Sequence, residues 1–413
     1  MGVLEQVVKL PQRWRRSPHT PASSSLAPTV FLPAGGLELL ILQASPFCNL
    51  DCSYCYLPDR ASHARMPLEL LDRIVAQVMG SGLVGSQLSM VWHAGEPMAV
   101  PRHWYEAAFE TVARHANGCA VVHHFQTNAV LIDAAWCEFF QRHRVRVGVS
   151  IDGPAELHDR HRRTRDGRGT HAKVMAGIVR LHDAGIPFHS ICVLTREAFD
   201  QPDAIYDFFA ALGTLEVGFN IEEIEAKHER SSLQAEGTVG AVRRFWQQII
   251  DRQSADPGRL RIRELAMVLS GLRDPDFGQR RGNSQNQAGR ILSVAHDGEF
   301  SFWSPELLGT NHPQRGRIAL GNLASGVIDW PLLGDTPELR RWQAEIDEGV
   351  RACEASCAYY RLCLGGAPSN KLAELGTMAG TETLACQLGL QAVVDETLKA
   401  LDRQLGPATS ATV

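Results

Sequence analysis

Cys48-Asn49-Leu50-Asp51-Cys52-Ser53-Tyr54-Cys55 follows directly on an apolar run, Glu38–Ala44, that reads as a β-strand. Three thiolates on one short loop can ligate three irons of a cubane cluster. The fourth iron is then left without a protein ligand. An open position on a metal is where a substrate binds, as it is on a catalytic zinc. The plain alternative is a zinc knuckle. Zinc asks for four ligands, and only His63 lies close enough in sequence to add one.

Working outward, five more β-rich runs follow: Leu88–His93, Ala120–Thr127, Arg146–Asp152, Pro187–Leu194 and Glu216–Ile221. Amphipathic stretches near 67–80, 101–117, 133–143, 172–184 and 199–212 separate them. Six strands in βα order predict an α/β fold with a parallel sheet. Six units fall short of a closed eight-stranded barrel, so the expectation is an open, partial (β/α)6 TIM-like barrel. Active sites of such sheets lie at the C-terminal strand ends, and the polar motifs fall there.

The domain reading is a flexible arm over 1–35, the barrel over 36–235, a helical linker over 236–290, a cysteine-bearing unit over 291–404 and a tail over 405–413. Within it, Ile291–Trp303 reads as a hairpin with Asp297-Gly298 in a type I′ turn. A helix is predicted near 337–349. Thr381 is the expected N-cap of a last helix running to about 404.

A net charge of −5 over 413 residues gives no reason to expect nucleic acid or an anionic membrane as partner. The apolar stretches are far shorter than a membrane span. Arg13, Arg15 and Arg16 precede no apolar segment, so no secretory signal is read. In a reducing compartment, seven of the ten cysteines falling at 48–55 and 353–386 suggest metal or Fe–S ligation rather than disulfides. Cys119, Cys137 and Cys192 read as small core residues.

The C-x3-C-x2-C spacing, with Tyr54 just before the last cysteine, resembles the signature of the radical S-adenosylmethionine superfamily. The resemblance implies a [4Fe–4S] cluster on Cys48, Cys52 and Cys55. Its open iron would chelate the amine and carboxylate of S-adenosylmethionine, and one electron would release a 5′-deoxyadenosyl radical. Trp92-His93-Ala94-Gly95-Glu96-Pro97 resembles the family's "GGEP" motif, with Ala94 at the first glycine. Gly95 and Glu96 are then expected to face the methionyl ammonium. Ser150, in Ser150-Ile151-Asp152-Gly153-Pro154, resembles the family's ribose-contacting serine. Thr127 and Asn128 read either as further cofactor contacts or as turn chemistry. Leu194 reads either as an adenine-packing residue or as core. The basic run His158–Arg165 is similar to an "HD…R" segment of the maturase branch. It reads as a clamp for a carboxylate or peptide, or as a solvated loop.

Cys353, Cys357, Cys363 and Cys386 can complete a second [4Fe–4S] cluster with no open iron. They resemble the SPASM domain of peptide-modifying radical enzymes, which in full form holds two auxiliary clusters. Ala367 stands where a further cysteine is expected, and no cysteine lies within 283–320. One auxiliary cluster is therefore expected; a structural zinc site is the other reading of the same four thiols.

Gly218–Glu225, Trp303–Gly309, Gly365–Lys371 and Thr381–Thr383 bring the resemblance closer to the cyclophane-forming maturases, among them those acting on glycine-rich-repeat peptides. It covers about 36–404. It implies a ribosomal precursor peptide as partner, an electron donor such as flavodoxin or ferredoxin, and a cytoplasmic enzyme. The precursor would be held by the barrel, the C-terminal unit or a separate protein. Alternation sets Glu223 and Glu225 on one face and Glu222 on the other; they read as a base, a peptide-docking patch or surface charge. Formylglycine-forming and thioether-forming maturases, and an Fe–S scaffold without catalysis, are the competing readings.

Overall fold

Leu37–Leu42 (β1), Val84–Trp92 (β2), Ala120–Thr127 (β3), Arg146–Ser150 (β4), Phe188–Leu194 (β5) and Val217–Ile221 (β6) form the parallel array that the alternation predicts. The computed structural model describes residues 29–276 and 279–405. Parallel neighbours need long crossovers. Helices Leu68–Met79 (α1), Arg102–His115 (α2), Ala134–Arg142 (α3), Ala155–His161 (α4), His171–Asp183 (α5) and Pro202–Leu212 (α6) supply them.

The helix-covered face of the sheet is aromatic. Trp92 and Phe125 meet Tyr105 of α2 at 5.2 and 4.8 Å. Burying each such ring is worth about 1.5–3 kcal/mol. The neighbouring residues of each strand point to the opposite face, which is polar along β3 and β4. There Gln126 donates to the Ser150 hydroxyl at 2.9 Å. Gly148 is needed between them, since a Cβ would lie 2.2 Å from the Gln126 amide oxygen.

The sheet does not stop at six strands. Ile291–Val294 (β7) runs parallel to β1, pairing Leu40 with Leu292, and Glu299–Phe302 (β8) returns antiparallel. The expected hairpin thus extends the barrel's own sheet, and Gly321–Asn322 ends it. Its turn is not type I′. That turn needs positive φ at both central residues, but only Gly298 takes it, at +90°. Gly298 N–H closes instead onto Ala295 O at 3.0 Å.

The 240–272 region holds two helices, Thr238–Ala255 (α7) and Arg263–Arg273 (α8). Glu264 of α8 accepts from the Phe219 amide at 3.1 Å and so covers the β6 edge. Helix Pro337–Ser356 runs about two turns beyond the expected end and carries Cys353. Thr383, not Thr381, caps the last helical region, because its hydroxyl accepts from Cys386 N–H at 3.0 Å. Val30 and Leu32 pack on the core, and Val30 N–H donates to Gly334 O at 3.0 Å. The expected arm therefore ends in docked residues; its part before 29, and the tail from 406, lie outside the described residues. Cys137 and Cys192 are buried, while Cys119 is only half-buried. Among the described residues no helix is long and apolar enough to cross a membrane.

Candidate functional site

The loop from Cys48 to Cys55 leaves the C-terminal end of β1 and is held by backbone contacts on two sides. Cys48 N–H donates to Arg60 O at 3.0 Å, and Glu96 N–H to Phe47 O at 2.8 Å. Asp51 and Ser53 amides donate to Arg163 O and His161 O at 2.8 and 3.0 Å. The Arg165 guanidinium grips Cys48 O at 2.9 and 3.1 Å. Arg160, Arg163 and Arg165 of the basic run are exposed, as the solvated reading has it, while its backbone and Arg165 also form one wall of the cysteine loop.

Arg162 anchors that wall. It is buried and pairs in a fork with Asp152, at 2.9 and 3.1 Å. Tyr54 donates its hydroxyl to the same carboxylate and lies under the guanidinium. Burial pushes Asp152 up, but Arg162 and the other donors outweigh it and hold the carboxyl below its ordinary value. His158 is kept neutral, its pKa pushed down to about 4 by burial.

Cys48, Cys52 and Cys55 face one another. Burial raises Cys48 to about 12, with Glu96 adding to it, and raises Cys52 to about 11. Thiols so placed ionise only when a cation enters among them, and a metal ligand is deprotonated outright. The set fits an iron cluster. His63, which a zinc knuckle would require, stacks on Phe47 at 4.0 Å instead. Among the described residues no three His, Cys, Asp or Glu side chains are grouped tightly enough for a single ion.

Glu96 stands at the end of β2, 2% exposed. One oxygen accepts from Met98 N–H at 3.0 Å and from the Thr127 hydroxyl at 2.7 Å. The other accepts from Asn128 N–H at 2.8 Å. Burial nevertheless pushes its pKa up to about 7. Thr127 and the Asn128 backbone thus hold Glu96, while the Asn128 side chain reaches Asn49 at 2.7 Å. Gly95 is there for space: at φ +124° its Cβ would lie 2.3 Å from Ser45 O. Ser150 stays half-buried on the polar face. Leu194 has no exposed surface, so of the two readings it is core. Val193 keeps exposed surface at the same strand end.

The second thiol set forms from three helical segments. Cys357 and Cys363 each feel Cys353 and Cys386, so the distant Cys386 does join the group. Burial raises Cys363 to about 11, and the thiol-rich setting fits an iron–sulfur cluster by the same reasoning.

Beyond β6, Glu222 turns away from the mouth to His228 at 3.1 Å and to Ser232 N–H at 2.9 Å. Glu223 and Glu225 face Glu306, a residue that sequence reasoning did not single out. Burial raises all three carboxyls, and Glu306 adds to the rise at Glu223 and Glu225. Asn370 and Ser369 partly offset this at Glu223 and Glu225 respectively. Trp303 directs the Glu306 segment: it is fully buried at φ +73°, a strained setting for a large side chain. Glu306 lines a cavity of about 590 Å³ with Tyr56, Ala94 and Lys227, and also a smaller hollow of about 200 Å³ with Glu225 and Ser369.

Residues 42–209 match the radical SAM superfamily, and the chain belongs to that superfamily and is an enzyme of it. Membership implies a [4Fe–4S] cluster and S-adenosylmethionine as cofactors. Along 94% of its length the chain is 38% identical to "Uncharacterized protein sll1766" of Synechocystis sp., covering 98% of that protein. It is 28% identical over 81% of its length to the serine-type anaerobic sulfatase-maturating enzyme of Klebsiella aerogenes, 80% of which is covered. The fold is similar to native anSMEcpe with bound AdoMet (TM-score 0.73, 22% identity, 89% of this chain and 98% of that one). It is also similar to Streptococcus suis SuiB bound to precursor peptide SuiA (TM-score 0.60, 15% identity, 86% and 76%).

Proposed function

We propose that this enzyme forms carbon–carbon (cyclophane) crosslinks between an aromatic ring and a nearby side-chain β-carbon of a ribosomally made precursor peptide. One observation carries the choice among radical maturases. The ten cysteines divide into two facing sets of three and four, with Cys119, Cys137 and Cys192 outside both. That supports one auxiliary cluster, whereas the formylglycine branch normally keeps two. The formylglycine reading has its own support in the likeness to sulfatase-maturating enzymes.

When bound, S-adenosylmethionine and its cluster supply a hydrogen-abstracting radical, with a flavodoxin or ferredoxin giving the electron in the cytoplasm. Glu96 has accepted three hydrogen bonds. A carboxylate has about four lone-pair positions, so one is left for the methionyl ammonium. Ser150 offers its hydroxyl to ribose and Val193 its side chain to adenine. A peptide entering the cavity meets Glu306, which in turn faces Glu223 and Glu225. Three facing carboxyls whose ionisation burial disfavours do not all ionise together, so the group both holds and accepts protons. It is suited to take the proton that an aromatic ring loses on crosslinking.

Co-expression with a candidate precursor and mass spectrometry test this. Crosslinking removes two hydrogens, but so does oxidation of serine to formylglycine. An aldehyde trap separates them. The crosslinked product stays unreactive and gives no backbone fragments between the joined residues; a product that reacts with hydroxylamine supports formylglycine instead. Glu223→Gln should leave 5′-deoxyadenosine formation in place and lower crosslinked product at least about tenfold.

A further inference from the structure

Lys371 lies on helix Pro368–Leu375 and is 3% exposed. Its ammonium is 3.4 Å from the Cys353 sulfur. Among the described residues no carboxylate comes within ion-pair distance of it, whereas buried Arg162 has Asp152. Space for it is built in: at Gly349 a Cβ would lie 3.1 Å from the Lys371 nitrogen and 2.2 Å from Met378 O.

A lone ammonium taken out of water costs several kcal/mol unless an anion meets it. Cys353 belongs to the second thiol set. An oxidised [4Fe–4S] core bound by four thiolates carries a net charge of about −2, and reduction makes it about −3. A fixed cation beside one sulfur therefore favours the reduced form more than the oxidised one. Hydrogen bonds to cluster sulfurs are an established control on potential.

We propose that Lys371 is a positioning residue for the auxiliary cluster, donating an N–H to the Cys353 thiolate and raising that cluster's reduction potential so that it accepts an electron from substrate. In crosslinking, the carbon radical adds to the ring and one carbon–carbon bond forms. The ring radical then gives one electron to the oxidised auxiliary cluster and one proton to a carboxylate at the mouth. This inference rests on the auxiliary cluster being iron–sulfur, as read above.

Redox titration of the reconstituted holoenzyme, followed by EPR, tests it. Lys371→Met keeps the volume and removes the charge. It should lower the auxiliary cluster's electron affinity at least about tenfold, or about 59 mV for a one-electron couple. The Cys48-Cys52-Cys55 cluster should not move, and Lys371→Arg should stay near the parent value. An unchanged auxiliary potential in the Met variant, at full iron content, overturns the proposal. Should that variant lose its iron, wild-type protein with nitrogen-15 lysine decides: a lysine-nitrogen coupling to the reduced auxiliary cluster supports the contact, and its absence overturns it. An iron count of about four, with zinc present, overturns the auxiliary-cluster reading itself and so separates the two failures.

Discussion

At Glu96 a short motif leads to a definite electrostatic expectation. Burial raises its pKa to about 7, and the folded carboxyl is therefore partly protonated in neutral solution. A methionyl ammonium needs the anion. S-adenosylmethionine affinity should tighten as pH rises through about 7 and level off above it, read by titration calorimetry on the anaerobic enzyme. Glu96→Gln should abolish that dependence and weaken binding about tenfold to hundredfold. Ala94 holds φ +64°, which costs an L-residue about 1–2 kcal/mol. Ala94→Gly should raise unfolding stability by about 1 kcal/mol in denaturant titration. Glu96 was legible in sequence because its motif is contiguous. That Thr127 and Asn128 hold it was not: the contact exists only because β2 and β3 end side by side, and spacing along the chain does not encode such neighbours. Leu194 and Val193 differ by one step of strand alternation, which fixes the face only once the sheet's covered side is known.

On the scale of elements, the cysteine loop depends on the segment after β4. Breaking a buried ion pair by removing one partner costs about 3–5 kcal/mol. Arg162→Met should lose that much in denaturant unfolding and reduce iron loading at Cys48, Cys52 and Cys55. Retention of both stability and iron would refute the bracing role. Because the Asp152 carboxyl is held below its ordinary 3.8, the pair's contribution is complete above that value. It is lost as pH falls through the lower folded pKa. The basic run was visible in sequence, but its task was not, since a fork onto Asp152 looks the same as a solvated arginine until α4 is placed. The carboxylate group was half legible. Alternation correctly separated Glu222 from Glu223 and Glu225, while Glu306 arrives from β8 through the unusual backbone of Trp303, which composition does not announce.

For the whole molecule, strand and helix alternation gave the six barrel strands, though β2 begins four residues earlier than expected and α4 stands where only a loop was read. The parts that diverged are long-range: the hairpin joins β1 across some 250 residues of chain, so a boundary drawn at 291 cuts through one continuous sheet. Cys386 was tied to Cys353–Cys363 in sequence by residue type, and folding brings it there. Two [4Fe–4S] clusters predict about eight irons and eight sulfides per chain; near twelve would require a third cluster and contradict the single auxiliary site. The most direct measurement of the central claim is 5′-deoxyadenosine release from reconstituted enzyme given S-adenosylmethionine and a strong reductant. The account predicts nucleoside from the parent protein and none above background from Cys48→Ala. Equal release from both would contradict it, as would no release from the parent at full iron content in the presence of its peptide.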